Sequence, residues 1–188
     1  MVDNGRFHPA LLTKAAGVRL LLTDVDGVLT DGGVYYSATG EELKRFSLRD
    51  GMGVERLRRL AQIEVGIITG EASPAVARRA EKLQIKELHL GIRDKAAVLD
   101  EILARRELHP DQIAYIGDDT NDLTIMQRVG LTAAPADAFI AVQAVVDYVC
   151  QHQGGHGAFR EFAECILVAR QLVRQQANGT TYSVLRTP

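Results

Sequence analysis

The sequence predicts an α/β fold, in which a Rossmann-like parallel sheet carries helices on both faces and a small β-hairpin flap replaces any cap domain. Short apolar segments alternate with longer amphipathic ones along most of the 188 residues. The apolar segments lack a polar face, which is typical of strands that are covered on both sides of a parallel sheet. The one departure from the alternation is a hairpin pattern after the first strand.

Six segments have the length and composition of buried strands. They are residues 18–23, 64–69, 87–90, 113–116, 131–134 and 147–149. Because helical patterns lie between most of them, we expect these strands to pair in parallel through helical crossovers.

The amphipathic segments between the strands predict the helices. We expect helices near residues 54–61, 74–83, 95–103, 121–129 and 157–173, with a short helix over 9–16. Ser73 before Pro74 places an N-cap residue ahead of a proline at the first helical position. Asp94 can cap the helix that follows it.

The flap is predicted within residues 31–50. Residues 34–36 and 43–46 are strand-like and flank Thr39 and Gly40, which is a pattern typical of a β-hairpin. An insertion of this size is too small to form a cap domain.

The chain is predicted to form one domain over residues 1–188, with its core at about 18–173. Residues 177–188 are polar and non-periodic, so we expect a loose tail there. The two cysteines, Cys150 and Cys165, lack CxxC spacing and indicate neither a disulfide framework nor a zinc site.

Composition excludes several classes of protein. Lys+Arg 22 against Asp+Glu 24 gives a net charge of -2, without the basic surface expected of a nucleic-acid-binding protein. No apolar run approaches the roughly 20 residues that span a bilayer. Asp3 stands where a signal peptide carries positive charge. We therefore expect a cytoplasmic protein that binds neither nucleic acid nor membrane.

Polar residues follow four of the predicted strands, at the edge of the sheet where ligands of such folds bind. They are Asp24, Asp26, Thr69, Gly70, Lys95, Asp118, Asp119, Asn121 and Asp122. Carboxylates this close together repel one another unless a cation lies among them. Carboxylate oxygens without histidine or cysteine suit Mg²⁺, which we predict as the cofactor.

These residue types can perform phosphoryl transfer. An aspartate can attack phosphorus and form an aspartyl-phosphate, and a second aspartate two positions later can protonate the leaving oxygen and then activate water. Lys95 and the Thr69 hydroxyl are suited to holding the phosphoryl group. Singly, each residue also has an ordinary explanation as a cap, a turn or a solvated side chain, so the argument depends on their order. Patterns of P-loop, serine hydrolase and HExxH sites do not occur in the sequence.

In order and spacing, these residues resemble the four motifs of the haloacid dehalogenase superfamily of phosphatases, over residues 18–170. The resemblance implies that Asp24 is the nucleophile and Asp26 the general acid and base. It also implies that Mg²⁺ is held by the side chains of Asp24 and Asp118 and by the carbonyl group of Asp26.

The same resemblance implies roles for the remaining motif residues. Thr69, Gly70 and Lys95 are expected to bind the phosphate. Asp122 is expected to orient Lys95, and Asp119 to support the site.

Within that superfamily the chain resembles the 3-deoxy-D-manno-octulosonate 8-phosphate phosphatases. The short flap, the RDGxG segment at residues 49–53 and the glycine-rich segment at residues 154–161 carry this closer resemblance. It implies a role in lipopolysaccharide biosynthesis and a homotetramer in which neighbouring subunits complete each active site. It also implies that the glycine-rich segment can close over the substrate. Whether His156 of this segment contacts the substrate is not decided by the sequence.

The closer resemblance assigns candidate sugar-binding residues. They are Ser47, Arg49, Asp50, Gly51, Glu71, Arg79, Lys82, Asn121 and Arg160. Glu71 and Glu55 stand where many members of the family carry arginine, and glutamate cannot pair with a substrate carboxylate as arginine does. Glu71 together with Lys82 resembles instead a subgroup that acts on nine-carbon keto-deoxy sugar acid 9-phosphates.

The predicted function is Mg²⁺-dependent hydrolysis of a 3-deoxy-2-ulosonic acid phosphate, with the eight-carbon octulosonate 8-phosphate as the favoured substrate. A nine-carbon acid 9-phosphate is the first alternative. A catalytically silent oligomerisation or regulatory module is an alternative of another class, and the intact set of four motifs argues against it.

Overall fold

The structure is a computed structural model that describes residues 7–177, apart from the side chains of residues 42, 176 and 177. In chain order, its helices and strands are α1 (Pro9–Gly17), β1 (Leu20–Thr23), β2 (Thr30–Ser37), β3 (Gly40–Phe46), α2 (Leu48–Arg56), a π-helical turn (Leu57–Ala61), β4 (Glu64–Ile68), α3 (Pro74–Leu83), β5 (Glu87–His89), α4 (Lys95–Arg106), a 3₁₀ turn (Pro110–Gln112), β6 (Ile113–Ile116), a second 3₁₀ turn (Thr120–Asp122), α5 (Leu123–Met126), β7 (Leu131–Ala134), α6 (Ile140–Gln143), β8 (Tyr148–Val149) and α7 (Ala158–Ala177).

Six strands form a parallel sheet in the order β5-β4-β1-β6-β7-β8, which confirms the predicted Rossmann-like architecture. The chain builds outward from β1 through β4 and β5, and then on the other side through β6, β7 and β8. This reversal brings the residues after β1, β4 and β6 together at the edge where doubly wound sheets bind ligands. All six predicted strands are present, within two residues of their predicted limits.

Hydrophobic cores lie on both faces of the sheet, as predicted. In β1, Leu21 packs in the core that includes α1, α2, α3 and α7, whereas Leu20 and Leu22 pack in the core that includes α4, α5 and α6. Because successive strand residues point to opposite faces, one short apolar strand supplies both cores. Each fully buried leucine contributes roughly 2 kcal/mol to the free energy of unfolding.

The first helix after the flap starts earlier than predicted. It begins at Leu48 rather than near residue 54, because the Ser47 hydroxyl accepts hydrogen bonds from the backbone N–H groups of Arg49 and Asp50. The π-helical turn then extends it, and Gln62 ends it in a left-handed conformation.

Other helices differ from their predicted limits mainly at their ends. α5 is shorter than the expected 121–129 because a 3₁₀ turn precedes it. α7 continues to Ala177, so the remainder of the expected tail, residues 178–188, lies outside the described residues. None of the helices described between residues 7 and 177 has the length and apolar character needed to cross a bilayer.

The predicted flap is confirmed as an antiparallel β2–β3 hairpin in which Ser37 pairs with Gly40. It exposes three large hydrophobic side chains: Tyr35, Tyr36 and Leu43 are 65%, 71% and 62% exposed. Lys44 is buried instead. The hairpin therefore places a cation inside and hydrophobic side chains outside, the reverse of a hairpin that covers a core.

Candidate active site

Three carboxylates gather at the edge of the sheet where β1 and β6 end. Asp24 directly follows β1, and Asp118 and Asp122 follow β6, the strand beside it. One oxygen from each of these three residues lies within 4.8 Å of the others. The structure thus brings together Asp24 and Asp118, the two predicted side-chain ligands of the metal, and adds Asp122 to them.

Two glycines make room for these carboxylates. Gly27 has a left-handed φ of +81°, and a Cβ atom there would collide with the carboxylate of Asp118. A Cβ atom on Gly117 would collide in the same way with the side chain of Asp122. The glycine positions of the first and last motifs are therefore required by the close approach of backbone to carboxylate.

Lys95 is the cation of this cluster. It starts α4, which Asp94 caps by accepting a hydrogen bond from the backbone N–H of Ala97 at 3.0 Å. Its Nζ lies 3.1 Å from Asp24 Oδ1 and 2.7 Å from Asp122 Oδ1, and its side chain is fully buried. Burial alone would lower the pKa of Lys95, but Asp24 and Asp122 outweigh burial and raise it, so the amine stays charged.

Asp122 is held from four directions. Its Oδ1 accepts hydrogen bonds from Lys95 Nζ and from the Tyr115 hydroxyl, the latter at 2.6 Å. Its Oδ2 accepts from the backbone N–H groups of Asp118 and Asp119. Asp122 thus contacts the lysine that it is expected to orient, and Tyr115, which sequence reasoning treated only as a strand residue, contacts the same carboxylate.

Burial and the neighbouring carboxylates raise the pKa values of Asp118 and Asp24. Burial, followed by the charges of Asp24, Asp122 and Asp119, raises the pKa of Asp118 to about 8. Burial, followed by the charge of Asp122, raises the pKa of Asp24 to about 6. Both groups thus favour a proton or another cation nearby.

The cluster fits a hard divalent cation. Asp24 Oδ1 has Lys95 Nζ as its partner at 3.1 Å, whereas Asp118 Oδ1 is buried and accepts no hydrogen bond from any described residue. All the available ligand atoms are carboxylate oxygens, the type that Mg²⁺ prefers. Asp24 and Asp118 can therefore hold Mg²⁺.

Asp26 has a different partner, Lys44 of the flap. Lys44 Nζ donates to Oδ1 and Oδ2 of Asp26 at 2.7 and 2.6 Å. The hydroxyl of Thr30 donates to Oδ1 at 3.3 Å. Sequence reasoning missed Lys44, because the sequence does not show that this residue faces inward while its neighbours in the hairpin are exposed.

Other predicted motif residues lie at the same edge. Thr69 is buried directly after β4, where its backbone N–H donates to the carbonyl of His89 and its hydroxyl accepts from the N–H of Glu71. Gly70 follows it and is exposed. Asp119 and Asn121 are exposed around the second 3₁₀ turn, where Asp119 caps the turn by accepting from the N–H of Thr120.

Several candidate sugar-binding residues form a joint between α2 and α7. Ser47 caps α2. Asp50 is buried and accepts hydrogen bonds from the backbone N–H groups of Gly157 and Arg160, and Gly51 leaves room for the Arg79 side chain. The carboxylate oxygens of Asp50 thus serve the start of α7 within the chain.

The candidate arginines have distinct surroundings. Arg79 donates to the carbonyl of Ser47 at 2.9 Å and lies 5.6 Å from the centre of the Phe46 ring. Arg49 and Arg160 line a cavity of about 410 Å³ together with His152 and His156 and three further residues. Arg160 also pairs with Glu164 at 2.7 Å.

Glu71 and Lys82, the pair typical of the nine-carbon subgroup, are both exposed. Glu71 lies just after β4, at the edge that carries the carboxylates. Lys82 lies in the last turn of α3, about 12 Å along the helix axis from its first residue. The helix therefore separates the two side chains within one chain.

The glycine-rich segment is docked on the turn after β1. Gly155 N–H donates to the carbonyl of Val28 at 2.9 Å. Cβ atoms on Gly154 and Gly155 would collide with the backbone at Gly27 and Thr30. The segment is thus neither a free tail nor a linker in this structure, since it packs against its own chain.

His156 contacts the flap. Its Nδ1 lies 2.8 Å from the carbonyl of Gly154, and its Nε2 lies 2.6 Å from Nη2 of Arg45. Arg45 also pairs with Asp31 at 3.0 Å. His156 therefore joins the glycine-rich segment to the hairpin.

Known proteins share this sequence and arrangement. The family model described as haloacid dehalogenase-like hydrolase matches residues 85–161. The 3-deoxy-D-manno-octulosonate 8-phosphate phosphatase KdsC of Salmonella typhimurium is 42% identical over 166 residues, which cover 88% of either chain. The crystal structure of the Yersinia pestis phosphatase has a TM-score of 0.84 at 42% identity, covering 88% of this chain and 89% of that one. The Moraxella catarrhalis phosphatase, solved with a magnesium ion, a phosphate ion and a KDO molecule, has a TM-score of 0.84 at 33% identity, covering 93% of this chain and 100% of that one.

Proposed function

Because the chain belongs to the 3-deoxy-D-manno-octulosonate 8-phosphate phosphatases, a family of haloacid dehalogenase-like hydrolases, we propose that its own substrate is 3-deoxy-D-manno-octulosonate 8-phosphate and its cofactor Mg²⁺. The chain is a phosphoric monoester hydrolase, and the alternative of a catalytically silent module is set aside. The observation that carries the proposal is the buried cluster of Asp24, Asp118 and Asp122 around Lys95.

Asp24 is the nucleophile of the proposed reaction. One of its carboxylate oxygens forms a bond to phosphorus while the bond from phosphorus to the sugar oxygen breaks, which gives an aspartyl-phosphate. Lys95 lies 3.1 Å from Asp24 Oδ1 and offsets negative charge on the transferring group. Thr69 and Gly70 bind the phosphate oxygens from the neighbouring strand end.

Asp26 moves the protons. It donates one to the leaving sugar oxygen, and it then accepts one from the water whose oxygen attacks phosphorus and releases Asp24. The side chains of Asp24 and Asp118 and the carbonyl of Asp26 would hold Mg²⁺, which would supply positive charge to offset that on the phosphoryl oxygens. The raised pKa values of Asp24 and Asp118 support a cation at this position.

The sugar acid is bound by the remaining predicted residues. Arg49 and Arg160 are the proposed partners of the substrate carboxylate, because they supply cations to one open cavity. The other proposed contacts are Ser47, Asp50, Gly51, Glu71, Arg79, Lys82 and Asn121, with Asp119 in support. The names of the relatives support the eight-carbon acid, whereas Glu71 keeps the nine-carbon acid as the second candidate.

Phosphate release from authentic eight- and nine-carbon keto-acid phosphates, with Mg²⁺ and with EDTA, tests the proposal. We expect Mg²⁺-dependent turnover and a higher kcat/KM for the octulosonate. A preference for the nine-carbon acid would select the second candidate, and no turnover of either would refute both.

Asp24→Asn is expected to lower kcat by at least about 10³-fold, because an amide cannot take over the phosphoryl group. Asp111→Asn, a change at a side chain that is 82% exposed, is the matched control and keeps full activity. Unfolding curves confirm that both variants are folded. Retained turnover in Asp24→Asn would place the nucleophile elsewhere.

The proposed assembly is a homotetramer in the cytoplasm. The exposed hydrophobic side chains of the flap, Tyr36 and Leu43 among them, support burial against another copy of the chain. Sedimentation at micromolar concentration should give a tetramer, and Tyr36→Lys with Leu43→Lys should dissociate it. Val173→Lys, at an exposed apolar residue of α7, is the control. A monomeric wild-type protein contradicts the proposed assembly.

A further inference from the structure

Lys44 places a buried cation against the side chain of Asp26. Its side chain has no exposed surface, and its Nζ donates to both carboxylate oxygens of Asp26 at 2.7 and 2.6 Å. A buried ammonium group is costly without paired carboxylates. The position of Lys44 and the orientation of Asp26 therefore depend on each other.

A second carboxylate and α3 hold Lys44 in place. Glu41 Oε2 lies 3.5 Å from Lys44 Nζ, and Glu41 Oε1 accepts a hydrogen bond from the Ser73 hydroxyl. Ser73 occupies the N-cap position of α3, but its hydroxyl does not cap that helix within the described residues. It is used to fix the flap instead, so a continuous chain of polar contacts joins α3 to Asp26.

We propose that Lys44 is a positioning residue, which holds the Asp26 carboxyl group where it transfers protons to and from the reacting oxygens. The inference rests on the proposed function, in which Asp26 protonates the leaving oxygen and later takes a proton from water. A proton on one oxygen of Asp26 leaves the other oxygen bound to Lys44. The side chain therefore keeps its orientation through both steps.

This role makes the effect of Lys44 depend on the leaving group. A sugar alkoxide needs a proton as it leaves, whereas p-nitrophenolate leaves without one. For Lys44→Met we expect kcat on the sugar acid phosphate to fall about 10²-fold and kcat on p-nitrophenyl phosphate to fall less than about fivefold. KM for the sugar acid phosphate should stay within about threefold, because Lys44 holds Asp26 rather than the substrate. Lys44→Arg should restore part of the lost rate.

A double-mutant cycle separates this role from simple support of the flap. Once Asp26→Asn has removed the proton-transferring group, adding Lys44→Met should cost less than about twofold. If Lys44→Met does not fold, Glu41→Gln provides the same test, with a smaller loss and the same dependence on leaving group. Lys14→Met, which breaks an ion pair with Asp147 at 2.5 Å, is the control and leaves both rates unchanged.

Equal losses on both substrates, or losses that add in the double variant, would overturn the inference. So would an unchanged rate for Lys44→Met on the sugar acid phosphate. Failure of the proposed function is a different result, since the wild-type protein would then not turn over the sugar acid phosphate.

Discussion

Without Mg²⁺, the protein should lose stability as the pH rises from about 5 to about 8, because Asp118 is more basic in the folded state than in the unfolded chain. Its pKa is about 8 in the fold, against an ordinary value of 3.8, and burial is the largest cause. Between these values the folded protein keeps a proton that the unfolded chain has released. Stability is therefore full below about pH 4 and falls as the pH rises through the folded pKa.

The magnitude follows from the two pKa values. At about 1.4 kcal/mol for each tenfold change in proton affinity, the difference between 3.8 and about 8 costs at most about 5 kcal/mol at pH 8. Asp24, with a folded pKa of about 6, adds at most about 3 kcal/mol. Saturating Mg²⁺ should remove most of this loss, because the cation takes the place of the protons.

Urea unfolding at about pH 5 and about pH 8, with EDTA or with Mg²⁺, measures the effect. The neutral variant Asp118→Asn should be more stable than the wild-type protein at pH 8 in EDTA, and should gain little from Mg²⁺. Asp111→Asn, an exposed aspartate, should follow the wild-type curve. If the wild-type protein in EDTA is as stable at pH 8 as at pH 5, or if Asp118→Asn is no more stable, the electrostatic reasoning is wrong.

Three further changes test other parts of the structure. Gly27→Ala puts a Cβ atom against the Asp118 carboxylate at a φ of +81°. We expect a loss of about 1–2 kcal/mol in urea unfolding and about tenfold weaker Mg²⁺ binding by calorimetry. Unchanged affinity would show that the close approach of Gly27 to Asp118 does not matter for the metal site. Burial would raise the pKa of Glu161, but the hydrogen bonds it accepts lower it, so Glu161→Gln should cost about 2–3 kcal/mol at neutral pH. That loss should shrink below pH 4.5, the ordinary pKa of the group, and a loss that is constant with pH would refute the assignment. Tyr115→Phe removes the hydroxyl that donates to Asp122 at 2.6 Å and should cost about 1 kcal/mol in urea unfolding; no change would mean that the hydroxyl is not a structural donor.

The sheet and its catalytic edge were predictable because local pattern determines them. Leu20, Leu21 and Leu22 are followed closely by Asp24, and parallel pairing brings strand ends together whatever the loops do. The capping of α4 by Asp94 was likewise predictable from the sequence. The structure accordingly places the proposed nucleophile, the lysine and the last acidic motif close to one another.

The rim of the site could not be predicted in the same way. Lys44 and Leu43 are neighbours on one strand, and only the docking of the hairpin decides that the lysine faces inward. Asp50 and Gly155 make their contacts with residues far away in the chain. The predicted start of α2 was wrong for a related reason. The Ser47 cap starts the helix at Leu48, before the apolar spacing on which the prediction was based.

Tyr115 packs in the core under α4 and its hydroxyl donates to Asp122, so the candidate active site is continuous with the hydrophobic interior of one face of the sheet. The hairpin and the glycine-rich segment instead contact the turn after β1 from outside, and the start of α2 is joined to the glycine-rich segment through Asp50. For protein engineers, this division means that substrate range is best altered by exchanging the three outer segments as a set. Changes to the residues under the site, such as Tyr115, would disturb the hydrophobic core of the molecule.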